Sequence, residues 1–307
     1  MTGLIVKHTG SNYTVRSSSG QLYLSTVRGK LRLKDMKTTN PIAVGDKVIF
    51  SAVSEGKGII TDITPRKNYI IRRSTNLSRQ AHILAANIDR VFLIVTLTSP
   101  ETRYEFIDRF LVTAEAYKIP ACIVVNKTDL LVTDNLKKEL EHFKQVYSSA
   151  GYTILEVSAL KGTNIDRIKS EIPEKISLFS GNSGVGKSAI MNSLSSSLKL
   201  KTGEISKAHN KGMHTTTFYE MFEINGGFVI DSPGIKGFGL IDIDRSELYH
   251  YFPEIFRISA GCKFGMCSHT HEPECAVKAA VESGEISESR YTGYLKILEG
   301  DGDKYRL

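Results

Sequence analysis

The first seventy residues alternate apolar and polar positions in short bursts. NYTVRS (12–17), QLYLSTVRG (21–29), KVIFSAV (47–53) and GIITDIT (58–64) show partial period-two spacing with β-branched and aromatic residues, as half-buried strands do. Ser18-Ser19-Gly20, Pro41, Gly45-Asp46 and Glu55-Gly56 separate them and supply turns. Five or so short strands in this length predict a small barrel, best of the OB type, although alternation alone does not separate that from an SH3-like barrel. The polar, basic run IRRSTNLSRQ (71–80) reads as a linker.

From Asn87 the pattern changes to alternating strands and helices. RVFLIVTL (90–97), ACIVVN (121–126), TILEVS (153–158) and KISLFSG (175–181) are strand-length apolar runs. Helical spacing lies between and beyond them, in RYEFIDRFLVTAEAYK (103–118), NLKKELEHFKQVYSSAG (135–151), NIDRIKSEI (164–172) and KSAIMNSLS (187–195). TTFYEMFEI (216–224) and GFVIDS (227–232) read as paired strands. This order predicts an α/β fold with a largely parallel sheet. Pro253 marks a second boundary, and CAVKAAVESG (275–284) and SESRYTGYLKILEG (287–300) form a helical tail. The expected division is a barrel over 1–72, an α/β domain over 73–252 and a C-terminal module over 253–307.

The strongest chemical signal is Gly181-Asn182-Ser183-Gly184-Val185-Gly186-Lys187-Ser188, a P-loop between an apolar strand and an amphipathic helix. Its glycines let backbone N–H groups face phosphate oxygens at a helix N-terminus. Lys187 reaches the β- and γ-phosphates, and Ser188 ligates Mg²⁺. Asn126-Lys127-Thr128-Asp129 follows the strand ACIVV and fits a guanine-reading loop. Asp129 accepts the guanine N1–H and exocyclic amine, while Asn126 and Lys127 brace the loop and cover the base. Ser158-Ala159-Leu160 ends another strand, where a backbone N–H can meet the guanine O6. Asp231 in DSPG (231–234) is expected to hold Mg²⁺ through water, and the Gly234 N–H to sense the γ-phosphate. GMHTTT (212–217) offers Thr215 or Thr216 to the same ion.

These elements run in rotated order: base loops first, then P-loop, then the two switch segments. An ordinary nucleotide domain begins at the P-loop. A circular permutation keeps sheet and site while moving the chain ends, so the order implies permutation of a GTPase.

Charge and cysteine content extend the picture. The 307 residues carry a net charge of +7, yet residues 1–75 alone hold thirteen Lys/Arg against four Asp/Glu. A basic barrel on a near-neutral body suggests a polyanionic partner. Arg28, Lys30, Arg32, Lys34 and Lys37 alternate in RGKLRLKDMK, and Tyr13 and Tyr23 are candidates to stack bases, core packing being the alternative. VFLIVTL (91–97) is the longest apolar run, far short of the ~18 residues of a membrane span. The N-terminus lacks the regions of a signal peptide, so a cytoplasmic protein with no membrane partner is expected. Three of the four cysteines cluster in CKFGMCSHTHEPEC (262–275). Cys262, Cys267 and Cys275 with one histidine, His269 or His271, make a closed tetrahedral Zn²⁺ site, structural because no position remains for water.

NKTD, SAL, GNSGVGKS, HTTT, DSPG and the Cys/His cluster together resemble the RsgA (YjeQ) family of circularly permuted small ribosomal subunit biogenesis GTPases, over the whole chain. The resemblance implies an OB barrel, a permuted GTPase and a zinc module with His269 as fourth ligand. It implies hydrolysis of GTP to GDP, binding to the 30S subunit and its 16S rRNA, stimulation by that subunit and a role late in its maturation, in a chain expected to be monomeric. Asn182 and Met213 stand where the family often has Gln and Arg. Ile235 follows Gly234, where many GTPases place a water-orienting Gln. His214 is the candidate to replace it, its neutral imidazole accepting a hydrogen bond from the attacking water. The competing readings are a non-enzymatic, GTP-dependent rRNA-binding module and a permuted GTPase acting on the large subunit or on DNA.

Overall fold

The computed structural model describes residues 1–9, 12–28, 42–73, 81–195, 198, 200, 220–231 and 243–300. Strands β1 (Thr2–Thr9), β2 (Asn12–Ser17), β3 (Leu22–Val27), β4 (Lys47–Ser54) and β5 (Lys57–Ile63) form the N-terminal barrel. They pair in the order β1-β2-β3-β5-β4, and β4 returns to β1 to close the ring. The β3–β5 pair is parallel and the others are antiparallel. That connectivity is the OB arrangement. Alternation puts Val15, Val48, Phe50 and Ile60 inside. Tyr13 and Tyr23, offered above for base stacking, are both buried in this core, against His8 and Phe50 respectively. Of the basic stretch, Lys30, Arg32, Lys34 and Lys37 lie outside the described residues.

Strand β1 shows weak alternation for a structural reason. Its register shifts between Ile5 and Lys7, and both of its faces are covered, so consecutive residues serve two cores. Ile5 packs inside the barrel, and Val6 joins the apolar cluster beneath the larger sheet.

The expected linker is partly structured. Tyr69–Arg73 (β6) pairs antiparallel with Ala81–Ala86 (β7) as a separate two-stranded sheet. The reason is burial: Ile70, Ile83, Leu84, Ala85 and Ala86 are apolar and lie inside. Val44 bridges to Ala85, and the Asn87 side-chain amide donates to Gly45 O at 2.9 Å. Below this junction Asp46, fully buried, takes both Arg66 Nε and Nη2 at 2.6 Å.

The α/β part follows as β8 (Arg90–Val95), α1 (Tyr104–Ala116), β9 (Ala121–Val125), α2 (Asp134–Ser149), β10 (Thr153–Glu156), α3 (Ile165–Lys169), β11 (Ile176–Ser180), α4 (Lys187–Leu194), β12 (Glu220–Ile224) and β13 (Gly227–Asp231). The sheet order is β10-β9-β8-β11-β13-β12, parallel except for β12. Both faces are covered, which is why β8, β9 and β11 read as continuous apolar runs. At its outer edge β12 pairs antiparallel with β1, Lys7 opposite Glu220, and those side chains form an ion pair at 2.9 Å. The barrel and the α/β sheet are thereby one continuous eleven-stranded sheet.

A 3₁₀ helix (Arg245–Tyr251), α5 (Pro253–Ser259), α6 (Ala276–Glu282) and α7 (Glu288–Glu299) complete the described chain. Leu248, Phe252, Ile255, Val277, Ile286 and Tyr294 form their core, which also takes in Val112 of α1. Among the described residues no helix is long and apolar enough to cross a membrane.

Gly45 has φ +92, and a Cβ there would stand 2.1 Å from the Ala86 carbonyl oxygen. Gly45→Ala therefore combines left-handed strain with a backbone clash and is expected to lower stability by about 3 kcal/mol. The urea midpoint followed by tyrosine fluorescence checks this; the chain has no Trp.

Candidate nucleotide site and metal centre

Five parallel strands, β8, β9, β10, β11 and β13, end on one edge of the sheet. In open α/β sheets, ligands bind at that edge. The loops that meet here are those singled out in the sequence, although they come from distant parts of the chain.

Asn126, just past β9, is 3% exposed and joins three of them. Its Nδ2 donates to Val185 O in the P-loop at 2.8 Å. Its Oδ1 accepts the Ala159 N–H at 3.1 Å. Gly186, with φ +93, lies so close that a Cβ would meet Asn126 Nδ2 at 2.3 Å. Lys127 adopts a left-handed backbone with φ 63, and its ammonium donates to the Ser99 carbonyl. Thr128 Oγ1 donates to Val157 O at 3.0 Å. The Ser158 hydroxyl donates to Asp129 Oδ1 at 2.5 Å, and the Lys161 N–H donates to that hydroxyl at 3.1 Å. A carboxylate aligned this way can accept two parallel N–H groups from a guanine edge. Leu160 is 81% exposed, an apolar side chain able to cover a base.

In the P-loop, Val185 is buried while Ser183 and Gly184 are exposed. Lys187 Nζ donates to Gly181 O at 2.7 Å and to Asn182 O at 2.8 Å, curling across the loop that would hold phosphate. Ser188 stands in the first turn of α4. Asp231 ends β13 beside β11, and its Oδ1 is buried with no hydrogen-bond partner among the described residues. Burial pushes its pKa up, against the pull of Lys187. Burial likewise pulls Lys187 down, against the pull of Asp231. A buried carboxylate oxygen at a strand end next to the P-loop strand, within electrostatic reach of Lys187, fits a hydrated divalent cation. His214, Thr215, Thr216 and Gly234 lie outside the described residues.

Cys262, Cys267, His269 and Cys275 converge, with their ligand atoms within 4.8 Å of one another. The Cys262 and Cys275 sulfurs are 3.9 Å apart, and His269 Nδ1 is 3.5 Å from Cys262 Sγ and 3.6 Å from Cys275 Sγ. A tetrahedral ion with ordinary Zn–S and Zn–N bonds separates its ligands by about 3.8 Å (S···S) and 3.6 Å (S···N). The four groups fit a metal ion, with Nδ1 as the histidine donor. Burial lowers the His269 pKa, keeping the imidazole neutral and able to ligate. His271 lies outside the cage, with its Nδ1 2.9 Å from Thr270 Oγ1. Glu272 braces the loop by accepting the Ser268 N–H at 2.7 Å, the Ser268 hydroxyl at 2.6 Å and the Thr270 N–H at 3.1 Å.

Two groups of residues here were not apparent in the sequence. Ser99 and Pro100, after β8, wall the nucleotide edge against Lys127 and Gly184; their only signal was an X–Pro turn at the end of a strand. Tyr291 and Tyr294 donate hydroxyls to the carbonyls of His269 and Ser268 at 2.6 and 2.7 Å, and nothing in the local sequence marks them.

The edge loops and the strand order define a P-loop GTPase whose chain has been circularly permuted, with a barrel before it and a Cys₃His cluster after it. Profiles of the RsgA GTPase and of the RsgA N-terminal domain match residues 63–241 and 2–60. The chain belongs to the RsgA GTPase family and is a GTP hydrolase. It is 54% identical to the small ribosomal subunit biogenesis GTPase RsgA 2 of Bacteroides thetaiotaomicron, across 100% of this chain and 99% of that protein. The crystal structure of YjeQ from Thermotoga maritima superposes with a TM-score of 0.80 at 36% identity, covering 97% of both chains. YloQ, a circularly permuted GTPase, superposes with a TM-score of 0.76 at 28% identity, covering 99% of this chain and 95% of that one.

Asn126→Ala leaves the Val185 carbonyl and the Ala159 N–H without their partner. Affinity for GDP is expected to fall roughly 10- to 100-fold, since each unmet buried group costs about 1–3 kcal/mol. Titration with a fluorescent GDP analogue measures this.

Proposed function

We propose that this GTPase binds the 30S ribosomal subunit and assists its late maturation, using GTP hydrolysis to time its release. The observation that carries the reading is full-length similarity: this chain, with its barrel, permuted GTPase and Cys₃His module, matches 99% of a relative called a small ribosomal subunit biogenesis GTPase at 54% identity.

Within this reading the parts divide as 1–72, 73–252 and 253–307. The amides of Gly181–Gly186 cradle the phosphates and Lys187 neutralises them. Ser188, Asp231 and Thr215 or Thr216 hold Mg²⁺, which when bound draws charge from the phosphate oxygens. Asn126, Lys127, Thr128 and Asp129 select guanine with Ser158, Ala159 and Leu160, and the Gly234 N–H senses the γ-phosphate. Cys262, Cys267, His269 and Cys275 hold one structural Zn²⁺; the sulfur-rich donor set supports zinc over harder cations. The basic N-terminal residues contact 16S rRNA, and the protein works as a cytoplasmic monomer.

His214 is proposed to orient the attacking water. Turnover of GTP measured with and without 30S subunits tests the whole reading. Stimulation is expected, and its absence would favour a GTP-dependent rRNA-binding module that does not depend on turnover. In the same assay His214→Ala is expected to lower stimulated turnover at least about tenfold while leaving the affinity for GTP within about twofold. Unchanged turnover would remove His214 from the mechanism.

A further inference from the structure

Nucleotide edge and metal cage are joined through the core by two segments, one bordering each. The first is the turn from Thr96 to Arg103, between β8 and α1. Its Ser99 carbonyl accepts Lys127 Nζ from the base loop. Its Pro100 lies against the P-loop, where a Cβ on Gly184 would meet the proline ring at 3.3 Å. The turn is cross-braced. The Thr96 N–H donates to Thr102 Oγ1 at 3.1 Å, and the Thr102 N–H returns to Thr96 O at 2.8 Å. The Thr96 hydroxyl donates to Pro100 O. Both threonines are buried. A turn tied this way transfers displacement of the P-loop or base loop to the first turn of α1.

The second segment is α7. Arg290, 0% exposed, donates from Nη1 to Asp108 Oδ1 on α1 at 2.7 Å and from Nε to Glu254 Oε1 on α5 at 2.6 Å. Its guanidinium lies 4.6 Å from the Phe252 ring centroid. The Tyr147 hydroxyl donates to the same Asp108 oxygen at 3.0 Å. Gly293 lets the helices touch, because a Cβ there would stand 2.1 Å from Asp108 Oδ2. The same helix carries Tyr291 and Tyr294, whose hydroxyls hold the carbonyls of His269 and Ser268. A buried guanidinium cannot slide away from its carboxylates without leaving charge unpaired in the core. Helices α1 and α7 are therefore bound to shift together or not at all.

We propose that metal binding and nucleotide binding are linked through α7 and α1. Closing the Cys262–Cys275 loop around a metal fixes the position of α7. Arg290 passes that position to α1, and the Ser99–Pro100 turn passes it to the P-loop and base loop. A filled metal cage tightens nucleotide binding, and bound nucleotide tightens metal binding by the same factor, because linkage is reciprocal. Tyr291, Tyr294 and Arg290 are positioning residues in this scheme, since none touches the nucleotide. The inference rests on the nucleotide and metal readings above.

The test uses the full chain. Affinity for a fluorescent GDP analogue is measured with Zn²⁺ loaded and after stripping by a chelator, and affinity for Zn²⁺ is measured by competition with and without GDP. The expected coupling is about fivefold or more, equal in the two directions. Tyr291→Phe with Tyr294→Phe removes only the two hydroxyls. It should bind both ligands while the coupling falls below about twofold. Arg290→Lys, which keeps the charge but loses the two-carboxylate fork, should weaken the coupling in the same way. GDP affinity within about twofold with and without zinc in the unaltered protein would overturn the proposal. So would full coupling persisting in both variants. Failure of the underlying readings looks different: GDP or zinc would not bind at all.

Discussion

The nucleotide edge is organised around one side-chain amide. Asn126 sits at the end of a buried strand and holds the P-loop with its N–H and the Ser-Ala-Leu turn with its oxygen. Its partners lie 59 and 33 residues away in sequence, and both are backbone groups. That explains how the chain can be cut and rejoined elsewhere without disturbing the chemistry. The hydrogen bonds depend on where β9, β10 and β11 end in space. The strand order is β10-β9-β8-β11-β13-β12, and a permutation alters which strands come first and last in the chain without moving where they end. Gly186 is part of the same constraint, because any side chain there would displace the amide.

Permutation decides what can be attached. The new chain start comes at β8, so the barrel and its hairpin lie upstream; the new end follows β13, so the helical module lies downstream. Neither addition hangs on a tether. The barrel shares β1 with the main sheet and places Val6 in its apolar cluster. The C-terminal helices pack on α1 and bury an arginine against an acidic side chain of that helix. The α1–α7 contact thus lies between the turn that borders the nucleotide loops and the helix that braces the metal loop.

Much of this was legible from residue order. Parallel strands covered on both faces read as unbroken apolar runs, and the P-loop, the base loops and the Cys/His cluster depend on local spacing that folding does not alter. The unread parts depend on distant contacts. The strand Tyr69–Arg73 lies partly in a run that looks like a linker because charged positions outnumber apolar ones, and its partner Ala81–Ala86 begins only beyond that run. Tyr13 and Tyr23 are equally suited to a wet groove and a dry core, and only barrel closure decides. Arg290, in an amphipathic tail, resembles any exposed helix cation; its burial is set by Asp108, 182 residues earlier.

The pairing of β1 with β12 has a consequence for how the molecule can be divided. An uncovered β12 would be a bare sheet margin, with unpaired backbone groups inviting strands from other molecules. The barrel covers that margin through the Lys7–Glu220 register and again through Arg16, whose guanidinium pairs with Glu223. Excising the first seventy residues would therefore unseal an adhesive border as well as remove a module. The barrel thus shields a backbone border of the domain it precedes.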